Sequence, residues 1–189
     1  MATCKTQATY ADLMKLPEHV VGEIVDGELI VSPRPALPHA RVSSSLGFDL
    51  GGPFDRGRGG PGGWWILDEP ELHLGRDVLV PDLAGWRRER VPVLPRTASL
   101  DVSPDWVCEV VSPATAQTDR GRKMGVYARE KVPHLWLIDP LARTLEAYRL
   151  EPDGWKLVAT HVEDAKVRVV PFEAIELELS SWWLPEEAP

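Results

Sequence analysis

No stretch of this chain is apolar for long enough to cross a bilayer, and the opening MATCKTQATYADL lacks the apolar centre of a secretory signal. A membrane protein is not expected, and a cytoplasmic setting is the default. Cysteine is scarce, with Cys4 and Cys108 the only thiols in 189 residues. Cys4 lies near the terminus and Cys108 inside an apolar run, so Cys108 is expected as a small core hydrophobe and no disulfide framework is expected. Neither thiol has a histidine at a spacing that would make it a nucleophile, and His19, His73, His134 and His161 show no metal-ligand pattern. No segment recurs at a fixed period. Positive charge is also in deficit: 21 Lys and Arg face 29 Asp and Glu, for a formal charge of −8. That balance argues against a protein that coats nucleic acid without specificity.

What is present suits one α/β domain over residues 1–189, with 43% apolar residues and enough length to bury a core. The charge is uneven. Residues 151–189 hold nine acids against three bases, a balance of −6, which leaves −2 for the first 150 residues. Two runs there, WRRERVPVLPR and DRGRKMGVYAREK, are locally basic and would suit a polyanion, or simply a solvated surface. Eight tryptophans serve the core, and the WW pairs at 64–65 and 182–183 would place one ring on each face of a strand. One ring of each pair is then available to cover a partner subunit.

The local patterns give an order of elements. A short helix begins after Thr9 and stops at Pro17, and VGEIVDGELIVSP is a hairpin turning at Asp26–Gly27. Val42, Leu46 and Leu50 have helical spacing over residues 39–50, and GGPFDRGRGGPGG is a flexible connection. WWILDEPELHL and DVLVPDLAGW are strand-like, residues 87–104 form a loop with a short helical piece, and WVCEVV is a central strand. A helix over residues 116–131 leads to the strand HLWLIDP. TLEAYRL, GWKLVAT and KVRVV follow as antiparallel strands. The pattern predicts a central mixed β-sheet flanked by helices, with antiparallel strands following the core.

Within WVCEVV, strand alternation puts Val107, Glu109 and Val111 on one face and Trp106, Cys108 and Val110 on the other. An unpaired carboxylate amid such neighbours is costly, so either Glu109 sits at a wet strand end or a cation meets it. Asp82, immediately behind Pro81, occupies a similar setting where strands splay. Two close carboxylates repel unless a proton or divalent cation intervenes, and an all-oxygen site suits Mg²⁺ or Mn²⁺. Asp119, Lys123 and Tyr127, spaced by four, share a helix face, and Lys123 can extend toward the preceding strand end. The bland alternative is that Asp119–Lys123 is a surface pair. Glu23 is a further acid amid apolar residues, with Asp26 and Glu28 as competitors, and His39 beside Arg41 is a candidate phosphate contact.

On these residues the chain resembles the Uma-two-type restriction-endonuclease-like proteins of the PD-(D/E)XK nuclease superfamily. The resemblance rests on GEIVDGEL at 22–29, SPRPALPHARV at 32–42, VPDLAGW at 80–86, CEVVSPATAQTDRGRKMGVYAREKVPHLWLIDP at 108–140 and the following YRL. It implies a restriction-endonuclease-like fold and a Mg²⁺-dependent nuclease assembled as a homodimer or higher oligomer. The family's acid after proline falls on Asp82, its sheet glutamate on Glu109 and an early acidic position on Glu23. Two residues beyond Glu109, where the superfamily's usual lysine would stand, is Val111. The lysine falls instead on Lys123 of the following helix, as in the Uma-two type. The implied reaction is metal-assisted attack of water on a DNA phosphodiester, with Asp82, Glu109 and a backbone carbonyl near Val110 holding Mg²⁺ or Mn²⁺. Lys123 would orient the water, and Arg87, Arg88 and Arg122 would contact the nucleic-acid backbone. The alternatives are a catalytically silent nucleic-acid-binding or assembly protein and a phosphoester hydrolase for small substrates.

Overall fold

A computed structural model of the chain describes residues 7–17, 19–32 and 34–185; Cys4 lies outside the described residues. The Asp26–Gly27 dipeptide joins strands β1 (Val21–Val25) and β2 (Glu28–Ser32) through a two-residue loop. Its φ values of 52° and 77° are those of a type I′ turn, which matches the twist of paired strands. A short helix α1 (Tyr10–Leu13) precedes the hairpin. The Asp12 carboxylate accepts hydrogen bonds from the backbone N–H and hydroxyl of Thr9, closing the first turn.

Helix α2 (Leu37–Leu50) starts at a proline-bearing first turn and buries Val42, Leu46 and Leu50 on one face. Strands β3 (Trp64–Asp68), β4 (Glu71–Leu74), β5 (Asp77–Leu79) and β6 (Leu83–Arg87) follow. Next come β7 (Ser99–Leu100), β8 (Trp106–Val110), helix α3 (Met124–Arg129) and β9 (His134–Asp139). The long hairpin β10 (Thr144–Glu151) and β11 (Gly154–Val162) leads into the two-residue strands β12 (Lys166–Val167) and β13 (Leu177–Glu178).

The central sheet is mixed and six-stranded, in the order β11-β10-β9-β8-β6-β3. Only β8 and β9 are parallel neighbours, joined through α3; the other pairs are antiparallel. Strand β8 is buried along its whole length, and its side chains divide as alternation requires. Trp106, Cys108 and Val110 join α2, Phe172 and the Trp182–Trp183 pair on one face. Val107 and Val111 join Val126 and Tyr127 on the other, together with Val25, Leu72, Leu74 and Leu79 from a second sheet of order β2-β1-β5-β4-β7. The expected mixed α/β architecture is present, with few helices; one face is covered by α3 and a second sheet.

Several local expectations are corrected. GGPFDRGRGGPGG begins with a wide helical turn over Gly51–Asp55 that buries Phe54, and Arg88 bonds the Asp55 carbonyl at 2.9 Å and its carboxylate. An apolar anchor and a bridging arginine structure what composition alone reads as flexible. KVRVV does not extend the meander: only Lys166–Val167 pairs, and it does so with β13. Val167, Val169 and Phe172 are drawn into the tryptophan-rich core, which carries the chain across the sheet face instead of along its edge. The Trp182–Trp183 pair lies in a turn, not a strand, and both rings are buried within the chain, their Nε1 atoms bonding Asp49 and the Glu163 carbonyl. Trp65 is covered by the Arg88 guanidinium, 3.6 Å from its ring centroid. Among the described residues no helix is long and apolar enough to cross a membrane.

Candidate active site at the end of the central strand

Glu109, two percent exposed on a strand otherwise apolar, is met by a cation and a phenol. Lys123 Nζ lies 3.1 Å from Glu109 Oε2, and the Tyr127 hydroxyl donates to Glu109 Oε1 at 2.5 Å. Both partners come from the segment after the strand. Residues Thr118–Lys123 form a wide π-type turn that continues into α3, and such turns re-aim side chains by one residue relative to a regular helix. The spacing of four then presents Asp119, Lys123 and Tyr127 inward together. Asp119 and Lys123 are three and four percent exposed, so the surface-pair alternative is overturned: they are buried 3.6 Å apart.

Glu23 reaches the same ammonium from β1, with its Oε1 2.9 Å from Lys123 Nζ and accepting the Val80 N–H at 2.8 Å. Asp82 sits in the gap before β6 opens its pairing with β8. Its Oδ2 accepts the Val110 N–H at 2.6 Å, and its Oδ1 lies 3.0 Å from His39 Nε2. In an extended strand the N–H and C=O of one residue project to the same side, so the Val110 carbonyl also faces Asp82. Glu23, His39, Asp82, Glu109, Val110, Asp119 and Lys123 all line one cavity of about 320 Å³, with Arg34 and Glu69 at its edge.

The electrostatics follow from burial and crowding. Desolvation pushes the Glu109 carboxyl well above its usual range; Lys123 opposes this, while Asp119, Asp82 and Glu23 add to it. Asp119 is raised by burial in the same way. Burial disfavours the Lys123 ammonium, yet Glu109, Glu23 and Asp119 outweigh it and hold its pKa well above the ordinary value, so it stays charged. Burial and the Glu109 charge keep Tyr127 a phenol and therefore a donor. For His39, burial works against the charged ring, but the hydrogen bond and charge of Asp82 raise its pKa. Five carboxylates line the cavity against Lys123, Arg34 and His39, which leaves an excess of negative charge.

That excess and the hard oxygen donors of Asp82, Glu109 and Val110 fit a divalent cation in charge and in chemistry. Among the described residues no group of three His, Cys, Asp or Glu side chains is drawn together around a metal position. Lys123 stands among the acids instead, and Asp82 is held by Val110 and His39.

Four sequence candidates are thus brought together, and His39 with them. The arginines are not. Arg87 and Arg88 lie at the far end of β6 from Asp82, with Arg88 bonded to Trp64 and Asp55. Arg122 bonds Glu28 at 3.0 Å and the Val25 carbonyl. Tyr127 and Asp119 are legible in the sequence as a helix face with Lys123 but not as partners of Glu109. Glu69 carries no sequence signal: it reaches the rim because its N–H bonds the Asp82 carbonyl at 3.0 Å.

A mixed sheet with an acid after proline, a sheet glutamate and a lysine from the following segment gathered at one strand end is the arrangement that the resemblance to nucleases implies. More particularly, the chain belongs to the Uma2 family, described as "Putative restriction endonuclease", whose model matches residues 9–181. It is also similar to a solved structure described as a putative nuclease belonging to DUF820 from Anabaena variabilis. The two share 25% identity and a TM-score of 0.75, over 94% of this chain and 99% of that one. No curated protein matches. Family and neighbour together support a nuclease.

Proposed function

We propose that the chain is an endonuclease that hydrolyses DNA phosphodiesters with the help of Mg²⁺ or Mn²⁺. The observation that carries this reading is the convergence of Asp82, Glu109, Glu23 and Lys123, far apart in the chain, on one acidic cavity that a buried ammonium only partly neutralises. Asp82, Glu109 and the Val110 carbonyl would hold the metal, which supplies charge for a phosphoryl oxygen and acidity for a bound water. Tyr127 fixes the Glu109 carboxylate through its hydrogen bond, so one oxygen keeps a set direction. Lys123, held charged by its carboxylates, offsets negative charge that develops on the phosphate and positions water beside Glu109. His39, donating to Asp82, keeps that carboxylate oriented across the gap.

A second reading, a hydrolase for small phosphoesters, is favoured by the shape of the cavity mouth. Val21, Pro35, Ala36, Val80, Pro113 and Ala114 line it, and Arg34 is its one exposed cation among the described residues, so the mouth is apolar and not a basic groove. Calorimetric titration with Mn²⁺ and Mg²⁺ tests the metal site. The parent should bind, and Asp82→Asn with Glu109→Gln should not; equal binding removes the metal from the account. Metal-dependent cleavage of an oligonucleotide, lost in Glu109→Gln, supports the nuclease, whereas turnover of mononucleotide esters alone supports the second reading.

A further inference from the structure

The end of the central sheet opposite the carboxylate cavity carries a row of basic residues. Strand pairing sets Arg149 of β10 beside His134 of β9, His134 beside Trp106 of β8, and Trp106 beside Gly85 of β6. Residues two apart on a strand share a face, so Arg87 joins the same row. Gly85 leaves room for this packing: a Cβ there would meet Trp64 and Ile66 at 3.2 Å and Trp106 at 3.3 Å. The Arg87 guanidinium lies 4.7 Å from the centroid of the Trp64 ring, which gives it a defined seat. Arg87, His134 and Arg149 line one cleft of about 390 Å³, faced by Pro171 and Glu173 of the chain after β12.

Two independent features mark this cleft. The first is unpaired cationic charge in an acidic chain. Arg88, Arg90, Arg120, Arg122 and Arg129 each meet a carboxylate. Among the described residues the guanidinium groups of Arg87 and Arg149 form no such ion pair, although the Arg87 N–H bonds the Asp105 carboxylate at 2.8 Å and Glu173 stands at the cleft's rim. The second is an orphaned polar atom. Three buried side-chain nitrogens among the described residues lack a hydrogen-bond partner: His39 Nδ1, Trp106 Nε1 and His134 Nδ1. The first belongs to the carboxylate cavity. Of the other two, His134 Nδ1 belongs to a residue that lines this cleft, and Trp106 Nε1 to its cross-strand neighbour in the buried core. Burial and the fields of Arg149 and Arg87 hold His134 in its neutral form, against the opposing pull of Glu173 and Asp105.

We propose that this cleft binds a phosphate group, with the guanidinium forks of Arg87 and Arg149 on its oxygens and the His134 ring beside them. Guanidinium forks match the oxygens of a tetrahedral oxyanion, and guanidinium groups are more readily desolvated than ammonium groups. The same chemistry recognises free phosphate or the phosphate of a nucleic-acid strand. The site lies at the other end of the sheet from Asp82 and Glu109, and it stands whether or not the nuclease reading does.

The test follows the His134 ring resonances of the full chain during titration with inorganic phosphate. The parent should respond saturably. Arg87→Gln with Arg149→Gln, both at exposed positions, should bind at least about tenfold more weakly, as expected when charge-assisted forks are lost. Glu173→Gln should bind more tightly, a gain that misfolding cannot produce. No saturable response in the parent, or one midpoint shared by all three proteins, overturns the proposal. Competition with 5′-phosphorylated and 5′-hydroxyl oligonucleotides then identifies the source. Displacement by the phosphorylated strand alone assigns a strand end, displacement by both assigns the backbone, and displacement by neither assigns free phosphate; each retains the site. Asp82→Asn with Glu109→Gln should leave the phosphate midpoint unchanged, so the two proposals fail separately.

Discussion

Replacing Lys123 with methionine keeps the length of the side chain and deletes its charge. In the parent the ammonium lies 2.9 Å from Glu23, 3.1 Å from Glu109 and 3.6 Å from Asp119, and all four groups are buried. Removing one partner of a buried ion pair costs about 3–5 kcal/mol, because the other charge is left in low dielectric. Here three acids are left, so the deficit should reach the upper end, about 5 kcal/mol, wherever they remain ionised. Protonation limits it. A carboxyl whose folded pKa stands above its unfolded value binds more protons when folded. Its unfavourable contribution is absent below the unfolded pKa, near about 4.3 for Glu, and grows as pH rises through the folded pKa. Glu109 and Asp119 are raised even with Lys123 present, and losing the amine raises them further. The deficit of Lys123→Met should therefore be small near about pH 5 and largest near about pH 8, with about 1.4 kcal/mol gained per unit of extra shift. Urea denaturation of parent and variant in chelator, at constant ionic strength across that range, measures it. A deficit below about 1 kcal/mol, or one that is flat with pH, refutes the account of the cluster.

Tyr127→Phe removes the donor to Glu109 Oε1 and should cost about 1.5–3 kcal/mol, the range for hydrogen bonds to charged groups, in the same denaturation assay. It should also loosen metal binding measured by calorimetry, since the carboxylate loses its fixed orientation. His39 is raised by Asp82, so that pairing stabilises fully below the ordinary imidazole pKa of about 6.5 and fades as pH rises through the higher folded value. In chelator, His39→Gln should flatten the fall in stability above that pH; an unchanged slope rejects the pairing. Phe172→Ala opens a void among Phe54, Trp64, Trp106 and Trp136, whose centroids lie 4.6–5.6 Å from its ring. It should cost about 3–5 kcal/mol in denaturant midpoint, with tryptophan fluorescence as the readout.

The demand that Glu109 makes on its surroundings is legible in the residues of its own strand. An acid on an apolar strand requires a partner, and the i, i+4 face of Asp119, Lys123 and Tyr127 offers one. The I′ turn at Asp26–Gly27, the α2 stripe and the alternation of β8 are equally local, because each depends on backbone preference and side-chain period within a few residues. The tail is not. KVRVV has strand composition, but the aromatic packing around Phe172 sets its course, and no local period encodes that contact. GGPFDRGRGGPGG misleads for the same reason, since one buried ring and one distant arginine order it. The arginines Arg87, Arg88 and Arg122 read as a basic surface, yet Arg88 and Arg122 are spent on internal contacts and Arg87 faces a different cleft.

The sequence by itself determined the first hairpin, the apolar stripe of α2, which face of the central strand joins which neighbours, and that Asp82, Glu109, Lys123 and Glu23 are acids and an amine in settings that demand partners. Periodicity and the cost of burying charge act over short stretches and are written in them. Only the tertiary structure decided that these four residues share one cavity with Asp119, that Tyr127 bonds Glu109 from behind it, and that Arg87, His134 and Arg149 line a cleft at the opposite end of the sheet. Those outcomes depend on strand order and register, which are set by how distant apolar faces pack together.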